Sequence, residues 1–326
     1  MISNQDLADA LMISSQRVNA LMKTIEVGTD ESILKGRNRY YKRSAVRKML
    51  RYRGLDFNIE KRIAISNNKG GVGKTSIATA LAKRLTDLGF DVLLIDIDPQ
   101  ANSTSSLLKT ERDLERIRGT LYNIVRDEIA FNDAIIELED GLNLLPSNLS
   151  NSRLESELTT LKKNPLSYVS QIIGGAEANF IIFDMSPSFS QINYLCTLAC
   201  NMVIIPTLLT KFSIEGVQMT LDSLNAWHQE FPSFAPDVRI LVNQMDNRFS
   251  TQLSSIASLE SAVQSYASQG LSAEMMRTVI RSDSTVNKFQ SGASKSLDSS
   301  NFYSDIKALA QELGNFSSIY NQKLEV

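Results

Sequence analysis

From residue 62 onward the chain alternates short apolar segments with stretches of helical apolar spacing. The segments are RIAISNN, DVLLIDID, LNLLP, NFIIFDMS, NMVIIP and VRILVN, most of them rich in β-branched residues. Strands that are apolar on both faces must be covered on both faces, and strands joined through helices run parallel. The alternation therefore predicts an α/β, doubly wound, mostly parallel sheet over residues 62–326. A chain of 326 residues has room for this body and a smaller appendage. No apolar run is long enough to span a bilayer, and the start MISNQDLADALM lacks the features of a signal peptide. The expected setting is cytoplasmic, with no membrane partner.

The appendage is expected over residues 1–55, with 56–61 as a connector. Asn4 is expected to cap QDLADALM, Ser14 to cap SQRVNALMKT, and Ser44 to start AVRKMLRYR, with Val18, Leu21 and Met22 at helical spacing. This is helix-turn-helix spacing, and GRNRYY follows it like a short wing, so the expectation is a small, mostly helical winged domain. The net charge of −2 hides an asymmetry: residues 1–53 hold eleven Lys or Arg against five Asp or Glu, and residues 35–53 hold nine basic residues and no acidic one. Such a segment points to an anionic partner.

Between the first strand and the helix SIATALAKRLTDLG lies NNKGGVGKTS. The standard phosphate loop is G-x-x-x-x-G-K-[ST]. Counting back from Gly73, Lys74 and Thr75, its first glycine is replaced by Asn68, a residue that tolerates left-handed backbone. Gly70, Gly71, Val72, Gly73, Lys74, Thr75 and Ser76 are the candidate phosphate-binding residues. Lys74 is expected to reach the β- and γ-phosphates of ATP and Thr75 to ligate Mg²⁺. Lys69 at the loop's mouth is either a solvated cation or a charge delivered to a neighbour's nucleotide across a dimer. Asp96 and Asp98 close the next strand two residues apart, Asp96 as a candidate for the Mg²⁺ shell and Asp98 for orienting the attacking water. Asp184 ends NFIIFD, either as a further metal-binding carboxylate or as the cap of the next helix. Cys196 and Cys200 share an apolar stretch and read as buried packing.

In order and spacing KGGVGKT, DIDPQANST, FIIFDMSPS, VIIPTLLTKFSIEG and ILVNQMDNR resemble the ParA family of deviant Walker A partition ATPases, over about residues 60–314. The resemblance implies that Lys69 acts across the dimer, that Asp98 is needed for hydrolysis and that Asn243 lies near the adenine. It also implies an ATP-bound homodimer that binds DNA without sequence preference, is nucleoid-associated and is stimulated by a ParB-type centromere-binding partner. The N-terminal part resembles the operator-binding winged helix-turn-helix of the larger plasmid ParA proteins; a helix-turn-helix used for dimerisation or partner docking stays open beside it. For DNA reading, Ser15, Gln16, Arg17 and Asn19 are expected at base edges and Arg37, Arg39, Lys42 and Arg43 at phosphates. MRTVIRSDSTVNKFQSGASKSL resembles the stretch supplying nonspecific DNA contacts, with Arg277, Arg281, Lys288 and Lys295 as candidates, each otherwise a solvated charge. MSPSFS stands where many relatives carry a double proline.

Among competing readings, a MinD-like membrane ATPase would end in a basic amphipathic helix, whereas this chain ends FSSIYNQKLEV. An iron-protein reductase would carry cluster cysteines in separate loops. An ATP-sensing transcriptional repressor with little turnover is compatible with every motif above.

Overall fold

A computed structural model describes residues 1–161, 165–173, 175–188, 190–246, 251–267, 269–283 and 300–316. Its main sheet has eight strands: β4 (Lys61–Ile65), β5 (Val92–Asp96), β6 (Ile136–Glu139), β7 (Leu142–Leu145), β8 (Phe180–Asp184), β9 (Met202–Thr207), β10 (Asp237–Val242) and β11 (Ala273–Met275). They lie in the order β11-β10-β9-β4-β8-β5-β7-β6. All neighbours are parallel except β6 on β7. The expected mostly parallel, doubly wound sheet is thus the observed one.

The two faces of the sheet separate by the period-two rule. Phe180 and Ile182 of β8 and Val92 and Leu94 of β5 join one hydrophobic cluster, while Ile181, Phe183, Leu93 and Ile95 join the other. Two edge strands were not expected from sequence. In β6 the residues IELE carry charge, and β11 has only three residues; neither is the continuous apolar run that marks an internal strand. Strand β4 sits centrally, and the chain crosses from β5 on one side of it to β9 on the other. That reversal opens a crevice at the C-terminal ends of the strands.

The first residues form β1 (Ile2–Ser3), α1 (Asn4–Ala10), α2 (Ser15–Thr24), β2 (Ser32–Lys35), β3 (Asn38–Tyr41) and α3 (Arg43–Tyr52), with the strands in the order β1-β3-β2. Two caps differ from expectation. Ser3, not Asn4, caps α1 by accepting from Asp6 N, and α3 begins after Lys42, so Ser44 is already inside it. Ser14 caps α2 as expected, accepting from Arg17 N at 3.2 Å.

This N-terminal region is packed on the α/β body rather than tethered to it. Leu7, Leu11, Val46 and Leu50 share one hydrophobic cluster with Leu81 and Leu85 of α4 (Lys74–Asp87) and with Ile306 and Leu309 of the C-terminal helix Asn301–Leu313. Leu55 and Phe57 of the connector are buried, and the Phe57 ring meets Phe90 at 4.8 Å between centroids. Arg84 of α4, wholly buried, donates to Tyr303 Oη at 2.9 Å and faces Asp6 at 3.7 Å.

Candidate functional site

Strand β4 delivers the chain to the glycine-rich loop, and α4 starts directly after it at Lys74. Gly73 is the N-cap, with φ +92°, a left-handed conformation that a side chain resists. A Cβ there would also stand 2.3 Å from Asn243 Nδ2. That amide donates to Val72 O at 2.8 Å, while Asn243 Oδ1 accepts from Gln244 N, so Asn243 pins the loop from the end of β10. Asn68 is not among the positive-φ residues, so its position does not call for a glycine; its side chain reaches Thr220 Oγ1 at 3.4 Å. The left-handed tolerance expected of Asn68 is therefore not used.

A cavity of about 530 Å³ opens at the crevice, lined on one side by Gly70, Gly71, Gly73, Lys74, Thr75 and Ser76. Asp98, Asn102 and Pro187 form part of the rest of its wall, with Asn243 and Gln244. Lys74 is nearly buried, and its Nζ donates to Asn67 O at 2.9 Å and Lys69 O at 3.0 Å. Burial lowers its pKa, opposed by the charges of Asp184 and Asp98. A cation over an α-helix N-terminus beside glycine backbone is a site for phosphate.

Behind this wall lie two fully buried carboxylates. Asp96 and Asp184 end β5 and β8 and are direct Cα partners. Asp96 Oδ2 accepts from both N and Oγ1 of Thr104 in α5 (Asn102–Leu107), at 2.8 and 2.7 Å, and Asp184 Oδ2 accepts from Ser103 Oγ at 2.7 Å. The other oxygen of each, Oδ1, has no hydrogen-bond partner among the described residues. Burial pushes both pKa values up. The Asp184 charge adds to this at Asp96, whereas the Ser103 and Thr75 hydroxyls counter it at Asp184. The Asp184 carboxyl beside the Thr75 hydroxyl, with an oxygen left over, fits a divalent cation. Neither Asp96 nor Asp184 is among the residues lining the cavity; both stand behind its wall. The strand ends at Asp96, which leaves Asp98 in the following loop, where it is half-buried at the cavity with Oδ1 accepting from Gln100 N. Among the described residues no group of three or more His, Cys, Asp or Glu forms a metal cluster.

Lys69 does not line the cavity; its Nζ donates to Ser213 Oγ. Arg281 does, and its side chain is still 42% exposed. Its backbone N donates to Asp305 and its guanidinium grips the same carboxylate, as close as 2.6 Å. Sequence reading missed Asn102, Pro187, Gln244, Ser282, Asp283 and Phe302 at the cavity; the last of these comes from the C-terminal helix, distant in sequence. Arg277 is exposed, and Lys288 and Lys295 lie outside the described residues.

Of the N-terminal candidates, Gln16, Arg17, Asn19, Arg37, Arg39 and Lys42 are exposed, whereas the Ser15 hydroxyl is engaged by Gln5. Ser15, Asn19, Arg37 and Arg39 line one groove of about 670 Å³ between α2 and the β2–β3 hairpin. Arg43 is corrected: it turns inward to Asp91, Asp140 and Phe90 O, and only 15% of its side chain is exposed. Cys196 and Cys200 are buried, Cys200 just past the helix Gln191–Leu198, and burial raises both thiol pKa values. Among the described residues no helix is long and apolar enough to cross a membrane.

Residues 60–236 match a family model described as an AAA domain. An uncharacterized protein of Methanocaldococcus jannaschii is 36% identical over 169 residues, 50% of this chain and 64% of its own length. The chain thus spans a little under two thirds of that relative. The sporulation initiation inhibitor protein Soj of Bacillus subtilis is 30% identical over 195 residues, 58% of this chain and 74% of Soj. In fold, the ATP complex of McdA from Cyanothece superposes with a TM-score of 0.64 at 19% identity, covering 82% of this chain and 98% of McdA.

Proposed function

The chain belongs to the ParA family of AAA-domain P-loop proteins, and on that premise we propose that it is an ATPase of DNA partition. The observation that carries this reading is the convergence of Lys74, Thr75 and Asp98 on one cavity, with the orphaned oxygens of Asp96 and Asp184 directly behind. Lys74 holds the β- and γ-phosphates of ATP, and the loop amides and the α4 N-terminus receive their charge. The Thr75 hydroxyl, with Asp184 behind it, would hold Mg²⁺, which would supply charge neutralisation for the phosphates. Asp98 orients the attacking water. Asn243 keeps the loop closed on the nucleotide, beside the adenine end. Lys69 serves the nucleotide of a second copy, making the ATP-bound form a homodimer.

In this reading residues 1–55 are a winged helix-turn-helix that binds the operator of the chain's own operon, 56–61 connect, and 62–326 are the ATPase domain. The ATP dimer holds nucleoid DNA without sequence preference, with Arg277 among the contacts, and a ParB-type partner stimulates hydrolysis and release. The exposed Arg37 and Arg39 in the groove, with Arg17 and Lys42 exposed elsewhere on the same region, support a DNA-facing N-terminal surface.

The test is binding of the full chain to random-sequence duplex DNA across a salt titration, with ATP and Mg²⁺ or with ADP, in the wild type and in an Arg17→Ala, Arg37→Ala, Arg39→Ala variant. Salt-sensitive binding that needs ATP and survives the triple substitution is expected. Binding that ignores the nucleotide and vanishes with the three arginines would replace this reading by an ATP-sensing repressor.

A further inference from the structure

Lys69 is held by its own chain. Its backbone N donates to Asn67 Oδ1 at 2.9 Å, and its Nζ donates to Ser213 Oγ at 3.0 Å and stands 5.9 Å from the centroid of the Phe212 ring. Ser213 is fully buried in the first turn of the helix Lys211–Glu230. Its hydroxyl shares a 2.8 Å hydrogen bond with Thr210 Oγ1, and its carbonyl accepts from Thr207 Oγ1, so the acceptor offered to Lys69 is fixed in place. The helix runs close against the loop at Gly216, where a Cβ would sit in ordinary contact, 3.4 Å from Asn67 Oδ1 and 3.8 Å from Lys69 Cβ. Phe212 is different, for it is 73% exposed and packs into neither core cluster. A large aromatic ring left in water beside a lysine has the geometry of a cation–π contact.

We propose that Ser213 and Phe212 form a latch that parks Lys69 on its own subunit, and that dimerisation on ATP requires the latch to open. The inference rests on the role of Lys69 across the dimer. One ammonium cannot be held by Ser213 and at the same time extend to a partner's phosphates. The competent population is therefore only the fraction with Lys69 released, and the apparent affinity between subunits is reduced by that fraction. Each contact is of a size that biases such an equilibrium several-fold. The latch thus sets a threshold: a loaded subunit presents Lys69 only in the released fraction, and a partner's phosphates draw that fraction up.

The experiment measures the dimer fraction of the full chain by sedimentation velocity against a non-hydrolysable ATP analogue with Mg²⁺. Phe212→Ala is the leading variant because the ring is exposed and its loss does not disturb the core; Ser213→Ala, the double variant and Phe212→Tyr accompany it. The analogue concentration for half-maximal dimer should fall about threefold for either single alanine and about tenfold for the double, while Phe212→Tyr, which keeps the ring, stays near wild type. In a Lys69→Ala background, expected to stay monomeric, none of these substitutions should shift the curve. Unchanged or weakened dimerisation in Phe212→Ala, with Lys69→Ala monomeric, overturns the latch and leaves the role of Lys69 standing. Normal dimerisation of Lys69→Ala removes that role and the latch with it.

Discussion

At single residues the chemistry is concentrated where the backbone is least free. Gly73 must adopt φ +92° and leave room for the Asn243 amide 2.3 Å from where a Cβ would be. Gly73→Ala should therefore cost about 2 kcal/mol, read as a lowered urea midpoint, and weaken ATP binding; Asn243→Ala on top should recover only the part due to the clash. Asp98 is half-buried at the cavity and caps only its own loop, through Gln100 N, so its replacement should leave the fold intact. Asp98→Ala is expected to keep nucleotide binding, followed by a fluorescent ATP analogue, and to lose turnover by about 10²-fold or more. Retained hydrolysis would remove Asp98 from the water-orienting role. Residue spacing in the sequence was enough to nominate Lys74, Thr75, Asp98 and Asp184. It misplaced Arg43, because a basic residue has the same letter whether it faces DNA or a carboxylate of its own chain. Here Asp91 decides the matter.

At the level of elements, side chains fix where helices and hairpins begin and what they lean on. Ser3 and Ser14 set the starts of α1 and α2, and Glu31 ties the turn before β2 to α3 through Lys48 Nζ at 2.8 Å and Gly28 N at 3.2 Å. Hydrogen bonds from Lys48 and Ser44 hold the Glu31 carboxyl below its ordinary value of 4.5, against the effect of burial. Because the folded value lies below the unfolded one, this contribution is complete above the ordinary carboxylate value and is lost as pH falls through the folded value. Glu31→Gln should thus be less stable than wild type at pH 7 by about 1 kcal/mol, with the gap in melting temperature closing as pH falls through the lowered carboxyl pKa. A gap that persists in acid would mean that the amide loses packing rather than charge. The C-terminal helix plays a corresponding part in the α/β body. Its Asp305 and Glu312 accept the backbone N of Arg281, Arg277 and Thr278, and so place the segment after β11 at the cavity.

Across the whole molecule the N-terminal region and the α/β body share one core and a set of ion pairs. Arg43 and Arg47 of α3 both bind Asp91, while Lys307 of the C-terminal helix binds Asp6 and Asp9 of α1. The Asp91 carboxylate is 39% exposed, so its pairs are partly screened by solvent. Asp91→Ala is expected to cost about 1–2 kcal/mol and to speed protease cleavage in residues 53–60, with the difference shrinking in high salt. Equal cleavage rates would show that hydrophobic packing alone fixes the region. The sequence by itself determined the parallel sheet, the phosphate loop and its Lys74, the carboxylates after β5 and β8, and the helical, basic character of the N-terminus. Those features are local in sequence: strand periodicity, loop spacing and charge runs need no distant partner to be read. Only the tertiary structure decided that Arg43 faces Asp91, that Arg281 and Phe302 reach the cavity, that Asp96 stands behind it and that Lys69 rests on Ser213. Each of those placements joins residues far apart in the chain, and their pairing depends on which faces the strands and helices bury against each other.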